Sequence, residues 1–227
     1  MNGNSRELKF SGLDIHEECC IYKKLSDEQK KLLINCGIKE FADKGLAGAS
    51  LSKIAKNANL SVGVIYKYYE DKNALFLACV HYGLEMLSDL LTQVVSHEDD
   101  FELCVKEIVN TVISTSIDGN EINRMYNTIS SREADIFAKE LAQEIEGVSA
   151  KVYKELFEKA AFEGKLNKNL DPAYFAFFFD SILMMVQFSF SCDYYKERLK
   201  LYCGDNVFEN NEKMASELTK FLLNAMS

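Results

Sequence analysis

Apolar residues early in the chain recur at helical spacing. Ile34, Ile38, Phe41 and Ala42 fall three or four apart, which puts their side chains on one helix face. Ser26-Asp27-Glu28-Gln29 just before them reads as a capping box, with Ser26 as N-cap and Gln29 reaching back. Gly45 reads as a helix-ending glycine, so a helix is expected over 27–44. Two short elements follow. Ser50 is an N-cap candidate ahead of Leu51, Ile54 and Ala55, and Ala58-Asn59-Leu60 is a brief break in which asparagine tolerates left-handed backbone. Ser61 caps a second short helix with Ile65 and Tyr69 on its inner side. Glu70-Asp71 then opens a long helix whose stripe is Phe76, Val80, Leu84, Leu87 and Leu91.

The remainder carries the same period. Helices are expected over 101–116, 121–129, 132–163 (with a break near Gly147), 172–195 and 210–226, with Gly164 ending one and Asp171-Pro172 opening the next. No stretch alternates like a strand, and no segment repeats. The single proline, Pro172, suits long helices. The expected fold is all-α: an N-terminal three-helix, helix-turn-helix domain joined to a C-terminal helical bundle. The apolar run 173–192 matches a membrane span in length. It contains Asp180, Ser181, Gln187, Ser189 and Ser191 without a tight basic flank, so a buried bundle helix is the better reading.

Charge changes the picture locally. The chain of 227 residues carries a formal net charge of −9, which by itself speaks against a nucleic-acid partner. Residues 26–72, however, hold eight lysines against six acids, a net +2. Residues 73–227 hold fourteen basic against twenty-five acidic side chains, a net −11. Any polyanion site therefore belongs at the N-terminal end. The seven scattered cysteines form no disulfide framework, and Met1 to Phe10 lack a signal-peptide run. A reducing cytoplasm is the expected location.

Two short helices joined by a tight turn and packed on a longer one form a helix-turn-helix. Here the pair is 51–57 and 62–68, the second being the recognition helix. Phe41, Gly45, Leu46, Ser50, Leu51, Ile54-Ala55, Ala58, Leu60-Ser61, Gly63, Ile65-Tyr66, Tyr68-Tyr69, Asp71-Lys72 and Leu75 follow the DNA-binding pattern of the TetR family, which this segment of about fifty residues resembles. Ala58-Asn59 stands where the family often has Ala-Gly, and Tyr68-Tyr69 where His-Phe or Tyr-Phe is common. The resemblance implies a ligand-responsive transcription regulator, usually a repressor. It would be a homodimer on a palindromic operator in double-stranded DNA, released by a small effector. The domains are then a leader over 1–25, a DNA-binding domain over 26–72, and an effector-binding and dimerisation domain over 73–227.

Roles follow by position. Ser50 and Ser61 open the two short helices, where a hydroxyl and free N–H groups suit a phosphate. Lys53, Tyr66, Tyr68 and Lys72 are expected on phosphates, which give affinity without sequence information; the resemblance implies the same for Tyr66, Tyr68 and Lys72. Val62, Val64 and Lys67 would face bases, valine methyls meeting thymine methyl and Lys67 reaching guanine. Gly63 permits close approach to the groove. Ile65 and Tyr69 read as core.

The C-terminal body is less informative. The resemblance implies two late helices pairing with their symmetry mates, by order those over 172–195 and 210–226. The expected dimer contacts are Phe175, Phe178, Ile182, Met185, Leu218 and Leu222. An apolar or aromatic effector would lie between helices, against Tyr82, Met86, Phe101, Tyr126, Tyr153, Phe157, Phe179, Leu183 and Gln187, although such residues more often form plain core. The three histidines, His16, His81 and His97, sit in no catalytic motif and no phosphate-binding glycine loop occurs, so neither an enzyme nor a cofactor is expected. Two alternatives stay open: a regulator sensing metal or redox state through His16, Cys19 and Cys20, and a helical adaptor that has kept the domain without operator binding.

Overall fold

The structure is a computed structural model; it describes residues 25–97, 100–118, 120–129 and 138–226. Among these residues there are ten α-helices, one 3-10 turn and no strand. The expected capping box over Ser26–Gln29 forms in both directions, with Ser26 Oγ accepting from Gln29 N at 3.2 Å and Gln29 Oε1 accepting from Ser26 N at 3.1 Å. It opens α1 (Asp27–Gly48), which runs past the expected end at Lys44 but breaks its helical geometry at Gly45 (φ 67°, ψ 176°). An L side chain rarely adopts that φ, so glycine permits a kink that turns one last helical turn toward the next element. Helices α2 (Leu51–Asn57) and α3 (Val62–Tyr68) form where expected, separated by Asn59 at φ 56°.

Helix α4 (Lys72–His97) begins when Asp71 Oδ1 accepts from Ala74 N at 2.8 Å. It is shared between two cores. Its first half, with Leu75, Phe76, Cys79, Val80 and Leu84, packs on Phe41, Ile54 and Ile65 of α1 to α3. Phe41 and Phe76 meet edge to face, centroids 5.1 Å apart. The N-terminal core therefore extends well past residue 72, the expected domain boundary. It also takes in Met125 of α6 (Asn120–Ile129), which is fully buried.

The second core joins α5 (Phe101–Asp118), α7 (Ala138–Phe162), α8 (Pro172–Ser191) and α10 (Asn211–Met226). In α5, Phe101, Cys104, Val105, Ile108, Val109, Val112 and Ile113 are all buried at i, i+3, i+4 spacing. At the centre, the Phe157 ring lies 6.0, 4.9 and 5.1 Å from those of Phe101, Phe175 and Phe179. Helix α7 is continuous through Gly147 rather than broken there. Asp171 caps α8 through bonds to Ala173 N and Tyr174 N, with Pro172 in the first turn.

The helix expected over 172–195 is in fact two. The chain turns at Cys192, in extended backbone, and continues as α9 (Asp193–Cys203), none of whose residues is buried, then the 3-10 turn Asp205–Glu209. The apolar run that the bundle covers stops at Phe190, and the mostly polar residues beyond have no core to join. In this core, Phe157→Ala is expected to cost about 3–5 kcal/mol and removal of the cap by Asp171→Ala about 1 kcal/mol, both read from urea unfolding.

Candidate nucleic-acid interface and effector cavity

Helices α2 and α3 are held against α1 by Ile54, Ala55, Ala58 and Ile65, all nearly inaccessible. Each short helix is closed by its serine: Ser50 Oγ accepts from Lys53 N and Ser61 Oγ from Val64 N. The opposite face of α3 is open, with Ser61, Gly63, Tyr66 and Lys67 exposed. Tyr66 is 56% exposed although it is an aromatic ring, so the core does not account for it. Val62 and Val64 lie half-buried against the N-terminal core, leaving only part of each side chain at the surface.

Three expected phosphate contacts are engaged inside the protomer instead. The Tyr68 hydroxyl accepts from Leu25 N at 2.8 Å. Lys72 Nζ donates to the carbonyls of Ala47 (2.8 Å) and Ala49 (3.3 Å), tying the start of α4 to the α1–α2 turn. Lys53 Nζ pairs with Glu40 Oε2 at 2.5 Å. Glu40 is buried and a lone charge there would be costly, so the lysine compensates it. The sequence reading did not single out Glu40. Its place on the shoulder of the α1 stripe, one residue before Phe41, was the available signal.

Between α4, α5, α6, α7 and α8 lies a half-open cavity of about 490 Å³, within the usual range of small-molecule sites. Of the expected lining residues, Met86, Tyr126, Tyr153, Leu183 and Gln187 reach it. Four do not. Phe157 and Phe179 fill the C-terminal core, Tyr82 packs on the N-terminal core, and Phe101 lines a separate groove against α7. Periodicity picked out inward-facing aromatics but not which of them border a void. Acidic wall residues were missed altogether: Asp118, Glu146 and Asp180. Burial, reinforced by the neighbouring charge of Glu146, pushes the Asp180 carboxyl up to about 6, while a hydrogen bond with Ser149 opposes the shift. Burial also raises Glu146.

Helix α6 connects this cavity to the N-terminal helices. Ile122, Asn123 and Tyr126 face the void. On its other side Met125 is buried in the N-terminal core, and Arg124 pairs with Asp43 of α1 at 2.9 Å. The Tyr126 hydroxyl donates to the Val80 carbonyl of α4 at 3.5 Å, and Asn127 Nδ2 donates to Ser191 O of α8 at 3.2 Å. A Cβ on Gly83 would stand 2.7 Å from the Tyr126 oxygen, so glycine is what lets α4 and α6 approach this closely.

Of the expected dimer contacts, Phe175 and Leu222 are buried in the protomer's own core and cannot serve a partner. Phe178 is exposed, while Ile182, Met185 and Leu218 are half-buried. Tyr174, Phe177 and Phe221, which were not singled out for this role, are exposed. Pro172–Ser191 is long and apolar enough to span a membrane, as is part of α4, and the protomer leaves most of this α8 stretch uncovered. His16, Cys19 and Cys20 lie outside the described residues.

The fold and its open α3 face define an all-helical protein with an N-terminal helix-turn-helix. Residues 33–79 match the family model described as "Bacterial regulatory proteins, tetR family". A curated relative, an uncharacterised HTH-type transcriptional regulator YuxN of Bacillus subtilis, is 40% identical over 55 residues; the match covers 24% of this chain and 19% of that relative. The chain thus matches about a fifth of that relative's length. Among solved structures, FadR of Bacillus subtilis, in complex with stearoyl-CoA, is similar in fold at a TM-score of 0.70 and 12% identity, over 87% of this chain and 100% of that one. AibR, in complex with isovaleryl coenzyme A and operator DNA, gives 0.64 and 17%, over 86% and 98%.

The raised Asp180 carboxyl has a stability consequence. Its neutral form is favoured in the folded state, so its contribution is fully present below the unfolded value near 3.8 and is lost as pH rises through about 6. Asp180→Asn should therefore raise Tm by roughly 2–6 °C at pH 7.5 and by less at pH 5, read by differential scanning calorimetry at both pH values.

Proposed function

We propose that this protein is a ligand-responsive transcription regulator: a homodimer that binds a palindromic operator through α3 and is released when a small, largely apolar molecule occupies the cavity. One observation carries the reading. Helix α6 borders the cavity on one side and is built into the core of the helix-turn-helix on the other. A ligand that displaces Ile122 or Tyr126 must move Met125 and Arg124 with them, and these bear on α1. Such coupling works only if the ligand favours the released arrangement. Repression relieved by the ligand is the sign that fits.

On the DNA, the exposed Tyr66, with Ser50 and Ser61 at the helix starts, would meet phosphates, while Lys67 and Gly63 would enter the major groove. Tyr68 and Lys72 would act indirectly, by holding α3 and α4 in place. Two seven-residue helices read too few base pairs alone, so a second half-site about 34–36 Å away is needed. The exposed aromatics of α8, Tyr174, Phe177 and Phe178, support pairing with a second copy.

Selection of random duplex DNA on the purified protein, with sequencing of the bound pool, tests the operator. A palindrome with half-sites one helical turn apart is expected. A folded protein that enriches no sequence would favour the adaptor reading instead. Tyr66→Phe should weaken binding to all duplexes alike, whereas Lys67→Ala should relax one base position at a cost of about 1–3 kcal/mol, both read by titration against the consensus and its single mismatches. Phe178→Glu should give folded monomers by light scattering, because that ring is exposed in the protomer.

A further inference from the structure

The walls of the cavity are apolar apart from a few polar groups, and the charged ones among them share one sign. Asp118, Glu146 and Asp180 reach it from α5, α7 and α8, and no lysine or arginine lines it among the described residues. Asp180 has Glu146 and Ser149 within hydrogen-bonding reach, so two carboxyls face each other with no lysine or arginine beside them among the described lining residues. Beside them stands Tyr153, 3% exposed. It lies on the wall with its ring against Phe179, centroids 5.0 Å apart. Tyr126 and Phe188 complete an aromatic surround.

We propose that the effector taken here is an amphipathic organic cation: an amine or quaternary ammonium carried on an apolar body. The inference rests on reading the cavity as the effector site and specifies the ligand's class. A cation between Glu146 and Asp180 supplies the missing countercharge. The aromatic faces attract it further. The apolar body fills the space along Met86, Leu87 and Leu183. A thioester of coenzyme A, the kind of ligand bound by the two structural neighbours, brings several negative charges to a wall that already holds three acids. Like charges so placed disfavour one another.

The test is calorimetric titration of the full chain with two probes of equal chain length and opposite charge, decyltrimethylammonium and decanoate, each below its micellar concentration. The cation is expected to bind roughly tenfold or more tightly than decanoate. A double variant, Glu146→Gln with Asp180→Asn, should lose that preference while remaining folded, because both changes remove charge and keep shape. Decanoate binding as well as or better than the cation, or a cation affinity unchanged in the double variant, overturns the proposal. Met184→Trp, which fills the cavity, separates the two levels of failure. If it blocks decanoate where the cation did not bind, the cavity remains an effector site and only the ligand class is wrong. If it leaves the binding of either probe untouched, the cavity itself is not the site.

Discussion

Everything in this molecule depends on one shared boundary, where α1, the first half of α4 and α6 close over a common apolar centre. Met125, Phe41, Phe76 and Ile65 are each wholly buried there. Interiors packed to this density do not deform smoothly; they shift as units. The helix-turn-helix is therefore no separate bead on a linker. It is one end of a structure whose other end surrounds a void, and the two ends share side chains rather than a flexible joint.

Most of the N-terminal architecture is legible from local chemistry. Ser26, Ser50, Ser61 and Asp71 each cap the helix they precede, because capping is decided within three residues. The same holds for Asp171 and Pro172. Placement of surfaces is another matter. Tyr68, Lys53 and Lys72 were read as facing DNA, yet each is drawn to a partner 13 to 43 residues away in sequence, and no local pattern shows such a contact. Phe175 and Leu222 illustrate a second limit. A helix that is apolar on nearly every side does not say which side its own bundle takes, and here the protomer took both residues.

The acids around the cavity teach a further lesson. Along the chain, Glu146 looks like an ordinary charged residue and Asp180 like a lone acid in an apolar helix. They become unusual only once α7 and α8 lie side by side, where mutual repulsion and lost hydration favour keeping a proton.

The bonds from Lys72 to the Ala47 and Ala49 carbonyls have a mechanical corollary. They lock the first turn of α4 to the loop that carries α2, so rotation of α4 swings the reading head as a rigid block. Each head would then grip a lone half-site equally well whether or not the cavity is filled. In the proposed dimer, only the separation between two heads on one duplex would register the ligand, which would make the response a property of the pair and of operator spacing, and not of any single protein–base contact.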